Sequence, residues 1–179
     1  MNILEKLGLK YGTDKGTKHH YLKVYYDLFK DKRESVKKVL EIGAGEGAGL
    51  RMFRDFFPNA TIYGAEIDKK RVYNINNDEP RDFRIEVFEC DQSSEYDLIN
   101  LISKIGGDID LVIDDGSHKP EDQVLTCMTL MKRLHYGAIY IIEDVVKPEI
   151  AKWLYKFYPE VIKVGNRYDD RLIVMKINE

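Results

Sequence analysis

The chain has 179 residues, 44% of them hydrophobic and 33% charged, with a formal net charge of -3. That length and apolar content suit one folded core and exclude a disordered chain, and Lys and Arg scattered among acids argue against a nucleic-acid partner. The longest apolar runs, such as Ala138 to Ile142, fall far short of the roughly 20 residues that cross a bilayer. The N-terminal MNILEKLGLKYGTDKG carries no signal-peptide core, so the expected location is cytoplasmic, with no membrane partner.

In chain order, about residues 1–35 form an N-terminal helical cap segment in which Tyr21, Tyr25 and Tyr26 sit at helical spacing and favour packing over stacking on a ligand. His19 and His20 fit a solvated helix start as well as they fit an acceptor-selecting segment with Tyr21. Strands are expected at Lys38 to Ile42, Thr61 to Ile67, Phe83 to Phe88, Asp110 to Asp114 and Ala138 to Glu143, alternating with helices at Gly49 to Phe57, Lys69 to Asn76, Glu95 to Ile105 and Pro120 to Leu134. Several of these strands are continuous apolar runs, as when helices cover both faces of a parallel sheet. In the last of these helices Val124, Cys127, Met128 and Met131 form an i, i+3, i+4, i+7 stripe that reads as core. Cys90 and Cys127 have no CxxC or metal-ligand spacing and read as reduced core thiols. Pro148 to Phe157 then reads as a helix, followed by strands Val161 to Val164 and Leu172 to Ile177 around the turn formers GNRYDDR. The expected architecture is α/β: one domain over 1–179, with a doubly wound, mostly parallel, Rossmann-like sheet of seven strands ending in an antiparallel hairpin.

The strongest local signal is VLEIGAGEG, in which a strand runs into a glycine cluster and then a helix. Gly43 and Gly45 permit a tight turn and close approach of a ligand to the backbone. With Ala48 they also fit the dinucleotide fingerprint GxGxxA, so NAD is the rival ligand. Electrostatics favours S-adenosylmethionine: a pyrophosphate would lie beside the carboxylates of Glu41 and Glu46, which suit a ligand carrying an ammonium and a sulfonium. Glu66, ending the second strand, is placed to accept from ribose hydroxyls. Asp91 is placed either to accept from an adenine amino group, with Gln92 or Ser93 beside it, or to cap a turn. Asp68 reads as the cap of the following helix, and Asp114 completes the candidate donor-binding residues.

A second constellation ends strands four and five: IDDGSH and IIED. In a parallel sheet these ends bring Asp115, Glu143 and Asp144 together, where mutual repulsion calls for a cation. All-oxygen ligands with positions open to water and substrate point to Mg²⁺. His118, three residues after Asp115, is the candidate general base.

YGTDKG, LEIGAGEG, YGAEID, DQSS, IDDGSH and YIIED, in that order over about residues 10–145, resemble the metal-dependent sugar O-methyltransferases of macrolide and other glycoside tailoring. The resemblance implies a class I methyltransferase fold, S-adenosylmethionine as donor, Mg²⁺ at Asp115, Glu143 and Asp144, His118 as base with Asp115 in the catalytic pair, and Tyr11, Thr13 and Lys15 closing over the cofactor. The chain departs from the pattern at His135-Tyr136-Gly137-Ala138, where relatives carry Pro-Gly-Gly, and at Glu66, where Asp is more usual. The larger relatives carry an additional N-terminal domain. The implied reaction is methyl transfer to a hydroxyl of an acceptor with vicinal hydroxyls, a deoxyhexoside such as rhamnose being favoured, with a homo-oligomeric partner to wall the pocket. A catechol-type O-methyltransferase, an NAD-dependent oxidoreductase and a non-catalytic binding module are the alternatives.

Overall fold

Apolar side chains in the strands point alternately to two sides, and each side meets its own helices. Val39, Ile62, Leu111, Ile113 and Ile141 face one core, shared with Leu4, Leu22, Leu50, Phe53 and Phe56. Leu40, Ile42, Val112 and Tyr140 face the other, shared with Leu98, Leu101, Cys127 and Leu130. The computed structural model describes residues 1–78 and 82–177.

The elements are α1 (Ile3–Tyr11), α2 (Asp14–Thr17), α3 (Tyr21–Phe29), β1 (Lys38–Ile42), α4 (Ala48–Phe56), β2 (Thr61–Glu66), α5 (Lys69–Asn76), β3 (Ile85–Glu89), α6 (Glu95–Ile105), β4 (Leu111–Asp114), α7 (Pro120–Met131), β5 (Ile139–Ile142), β6 (Glu160–Lys163) and β7 (Arg171–Lys176). The sheet order is β3-β2-β1-β4-β5-β7-β6, with β1 to β5 parallel and the β6–β7 hairpin antiparallel. This is the expected doubly wound architecture. The order reverses between β1 and β4, so their carboxyl ends flank the crevice where such sheets take ligands. Ile42 pairs with Asp114 and Asp114 with Ile142, which aligns Gly43, Asp115 and Glu143 along one edge.

Local differences from the sequence reading have physical causes. β3 starts at Ile85 because Asp82 turns the chain, its side chain accepting from the Arg84 N–H at 3.0 Å. Pro148 to Phe157 forms two 3₁₀ turns, Pro148–Lys152 and Tyr155–Phe157, anchored in the core by Ile150 and Leu154. In α7 Cys127 and Met131 are buried as expected, but Val124 and Met128 are only half-buried. Gln123 and Thr126 face inward instead, Gln123 Nε2 donating to the Glu143 carbonyl at 3.0 Å and the Thr126 hydroxyl to the Asp122 carbonyl at 2.8 Å. Asp68 caps α5, accepting from the Lys70 and Arg71 N–H groups. Both cysteines are free and buried, and burial pushes the Cys90 thiol up to about 12. Among the described residues no helix is long and apolar enough to cross a membrane.

Candidate active site

The loop after β1 is a left-handed turn, with φ of +86° at Gly43, +54° at Gly45 and +80° at Gly47. The Gly43 and Ala44 N–H groups both donate to the Ala65 carbonyl, at 2.8 and 3.1 Å. A side chain at Gly43 would strike the backbone carbonyl of Asp115, so this loop and the one after β4 touch because residue 43 is glycine. Gly43→Ala is therefore expected to cost more than about 1 kcal/mol of stability. Gly45→Ala, which meets open space and carries only the φ penalty, should cost less; urea denaturation of the two variants checks the order.

A cleft of about 500 Å³ runs along this edge, lined by Gly43, Gly45, Glu66, Asp91, Gln92 and Asp115 among others. Glu66 accepts from the Gly45 N–H at 2.8 Å and the Asp68 N–H at 3.0 Å, holding the loop while leaving further lone pairs toward the cleft. Asp91 makes a turn with Ser93, accepting from its N–H and hydroxyl at 2.8 and 2.7 Å, and those bonds hold its carboxyl below the usual range. It thus forms a turn and also lines the cleft.

Asp114 does not join this lining. Side chains alternate along β4, so Asp115 faces the crevice edge while Asp114 points into the second core, fully buried. Its carboxylate accepts from Gln92 Nε2 at 2.9 Å and Tyr140 OH at 3.3 Å, and burial pushes its pKa up to about 7. Gln92 also accepts from the Ser117 N–H. Gln92, in the cleft lining, and Asp114, behind it, form a strut that sets the course of the loop after β4.

Beside the cleft the acids meet a buried cation. Lys15 Nζ lies 2.5 Å from Asp115 Oδ2, 2.8 Å from Glu143 Oε2 and 3.1 Å from Glu41 Oε1, and the side chain is 2% exposed. Gly49 has no side chain to displace Glu41 from this position. Burial alone would lower the Lys15 pKa, but the three carboxylates outweigh it and hold the ammonium well above its ordinary value. Burial pushes Glu143 up to about 8 and Glu41 up to about 7. One ammonium faces three carboxyls, so the cage lacks positive charge, and Glu41 Oε2 has no partner. The repulsion that the sequence pattern assigns to a metal is met in part by this lysine.

Asp144 lies just outside the cage with its backbone left-handed at φ +51°, and His118 faces it at φ +58°; both are uncommon conformations for residues with side chains. His118 Nε2 is 3.7 Å from Asp144 Oδ2 and 4.0 Å from Asp115 Oδ1. Ligand atoms of Asp115, His118 and Asp144 all lie within 4.8 Å of one another. Glu143, expected beside Asp115 and Asp144, adjoins them but turns its carboxylate to Lys15 and to the Tyr25 hydroxyl, 2.5 Å from Oε1.

Thr13 caps α2 and lines a side pocket of about 220 Å³ with Lys15, Glu41, Gly43 and Gly45. Tyr11 does not share it. Its hydroxyl donates to Asp55 Oδ2 at 2.5 Å and accepts from Arg54 at 3.2 Å, because the last turn of α1 packs on α4 rather than over the crevice. Tyr11→Phe is expected to cost about 1 kcal/mol of stability while leaving donor affinity unchanged. A tenfold weaker donor Kd in that variant would return Tyr11 to the cleft.

Three further residues, outside the expected catalytic, metal and donor-binding set, join the site. Tyr21 and Tyr25 are fully buried, which agrees with packing, but their hydroxyls end on Asp144 and Glu143. His19 is 1% exposed rather than solvated, with Nδ1 2.8 Å from Asp170 Oδ1 and its ring stacked on Tyr21 at 4.9 Å. The i, i+4 spacing of the tyrosines was the visible signal; their polar partners lie more than 100 residues away.

The strand order, the glycine turn after β1 and the acids after β4 and β5 define a class I methyltransferase fold. The chain is similar in sequence to sugar O-methyltransferases. It is 36% identical over 149 residues to the 8-demethyl-8-alpha-L-rhamnosyl tetracenomycin-C 2'-O-methyltransferase of Streptomyces olivaceus, covering 79% of this chain and 37% of that protein. It is 35% identical over 151 residues to the mycinamicin VI 2''-O-methyltransferase of Micromonospora griseorubida, covering 79% of this chain and 36% of that one. The chain thus spans little more than a third of the curated relatives it matches. The methyltransferase MycE, solved with Mg, SAH and mycinamycin VI, superposes with a TM-score of 0.78 at 25% identity, over 99% of this chain and 55% of MycE. No protein-family profile matches the sequence.

Proposed function

We propose that this chain is the donor- and metal-binding part of an S-adenosylmethionine-dependent O-methyltransferase that acts, with Mg²⁺, on a sugar hydroxyl of a glycosylated small molecule. The observation that carries this reading is the position of Asp115, which lines the donor cleft and also faces His118 and Asp144. The curated relatives, named for methylation of sugar hydroxyls on tetracenomycin and mycinamicin, supply the acceptor class.

The residues fit both groups. The cleft volume lies within the range of small-molecule sites, and at the adjoining side pocket the unpartnered Glu41 Oε2 suits a ligand ammonium. Asp115 and Asp144 offer the carboxylate oxygens that Mg²⁺ prefers beside a cage short of positive charge, and Glu143 would join them on release of the oxygen that Lys15 holds. When bound, the ion would acidify an acceptor hydroxyl that ligates it. Gly43, Gly45, Glu66 and Asp91, with Thr13 and Lys15 at the side pocket, would hold the donor, while Gln92 and Asp114 support the cleft floor. His118, its side chain 38% exposed, takes the acceptor proton at its Nε2 and opens toward the solvent side from which an acceptor arrives.

On this reading residues 1–179 act as one unit, with the first 35 or so as its cap, supported by the contacts of Lys15, Tyr21 and Tyr25 with the acids after β4 and β5. The reading includes a cytoplasmic site of action and a second copy walling the acceptor side. Calorimetric titration with S-adenosylmethionine, with Mg²⁺ and with chelator, followed by turnover on rhamnosides and on catechols, tests it. Micromolar donor binding and Mg²⁺-dependent methylation of the glycoside are expected. Donor binding with turnover on catechols alone would reject the sugar assignment, and binding of NAD instead would reject the donor.

A further inference from the structure

Asp144 and Glu143 are neighbours in sequence at the end of β5, and one helix reaches both. Tyr21 and Tyr25 lie four residues apart on α3, hence on one face. The Tyr21 hydroxyl donates to Asp144 Oδ1 at 2.6 Å and accepts from the Asp144 N–H at 3.3 Å. It therefore grips both the side chain and the backbone of a left-handed residue. The Tyr25 hydroxyl donates to Glu143 Oε1 at 2.5 Å. In each carboxylate one oxygen is thus held from α3, and the other faces a different neighbour. Asp144 Oδ2 faces His118 at 3.7 Å, and Glu143 Oε2 meets the Lys15 ammonium that also holds Asp115. The His19 ring, fixed by Asp170 and stacked on Tyr21 with planes 7° apart, keeps the first phenol in place.

We infer that Tyr21 and Tyr25 are positioning residues that aim Asp144 at a divalent cation beside Asp115 and hold Glu143 against Lys15 next to it, so that α3 builds the outer shell of the metal site. The inference rests on the proposed metal reading. It follows from a general property of metal sites: ligating carboxylates are aimed by their hydrogen-bond partners, and removal of such a partner typically weakens metal affinity by about 10- to 100-fold. A carboxylate freed of its phenol can turn, or chelate through both oxygens, and no longer offers the same geometry.

The test uses the full chain with Tyr21→Phe, Tyr25→Phe and, as a control on the same helix, Tyr26→Phe. Mg²⁺ titration by calorimetry, with Mn²⁺ as a paramagnetic probe of bound against free ion, reads metal affinity directly. Titration with S-adenosylmethionine in chelator reads the donor site. The first two variants are expected to bind Mg²⁺ about 10- to 100-fold more weakly. Donor affinity in chelator should stay within twofold, and Tyr26→Phe should match the unmodified protein. Lost thermal stability with unchanged metal affinity in both variants would show a purely structural role and overturn the inference alone. Failure of the unmodified protein to bind Mg²⁺ or Mn²⁺ would overturn the metal reading and this inference with it. Should Tyr21→Phe fail to fold, Tyr25→Phe makes the same test at Glu143.

Discussion

His118→Asn is expected to lower turnover on a glycoside acceptor by about 10²- to 10⁴-fold, the usual contribution of a positioned general base. Asparagine is the informative replacement because residue 118 is left-handed, at φ +58°, a conformation asparagine tolerates better than most side chains. The substitution then removes the titrating nitrogen with little added strain. The imidazole faces Asp115 and Asp144 and is absent from the lining of the donor cleft, so donor affinity should stay within about twofold. Steady-state kinetics and donor calorimetry on the same preparation separate the two effects. Full turnover by the variant would remove His118 from the chemistry, and an equal loss of donor binding would make it part of the cleft.

Lys15→Met is expected to destabilise the metal-free protein by about 3–5 kcal/mol, as when one partner of a buried ion pair is removed. The side chain is apolar and similar in length, so the change isolates the charge. Without the ammonium, Glu41, Asp115 and Glu143 are left facing one another with Glu41 and Glu143 almost fully buried. The dependence on pH has a definite sign. Burial raises Glu41 to about 7 and Glu143 to about 8, so the native state binds more protons than the unfolded chain above the ordinary carboxylate range. The contribution of these groups to stability is present below their unfolded pKa values and is lost as pH rises through about 7 to 8. Removing the lysine deepens that loss, so the deficit of the variant should be smallest near about pH 5 and grow toward about pH 8. Urea unfolding at several pH values measures it. A deficit that shrank with rising pH would mean that Lys15 is not the counter-ion of this cage.

The fold was legible in the sequence because its cues are local. Continuous apolar runs mark strands covered on both faces, GAGEG marks a turn that needs left-handed backbone, and Asp or Glu after a run marks a strand end. The acids of the site could be read for the same reason: Asp115, Glu143 and Asp144 follow strands four and five, and parallel strands end on one edge. Which way one side chain faces is not a local cue: of the adjacent Asp114 and Asp115, both expected at the crevice, Asp115 lines it and Asp114 turns into the second core.

What the tertiary structure decided is the set of partners these acids have. Lys15 meets Asp115 across 100 residues of chain and Glu143 across 128, and Tyr21 meets Asp144 across 123. Nothing local distinguishes a lysine in a glycine-bounded turn from a solvated one, or a packing tyrosine from one whose hydroxyl ends on a carboxylate. The apolar rings of Tyr21 and Tyr25 drive α3 onto the core just as phenylalanines would, and the amphipathic pattern records only that burial. The direction of the hydroxyls is set once α3 lies beside the end of β5. The sequence by itself therefore determined the sheet, the glycine turn and the acidic residues at its edge. Packing of the N-terminal helices against that edge determined which cation and which hydroxyls those acids face, because buried charges and polar groups take the partners that the fold brings within reach.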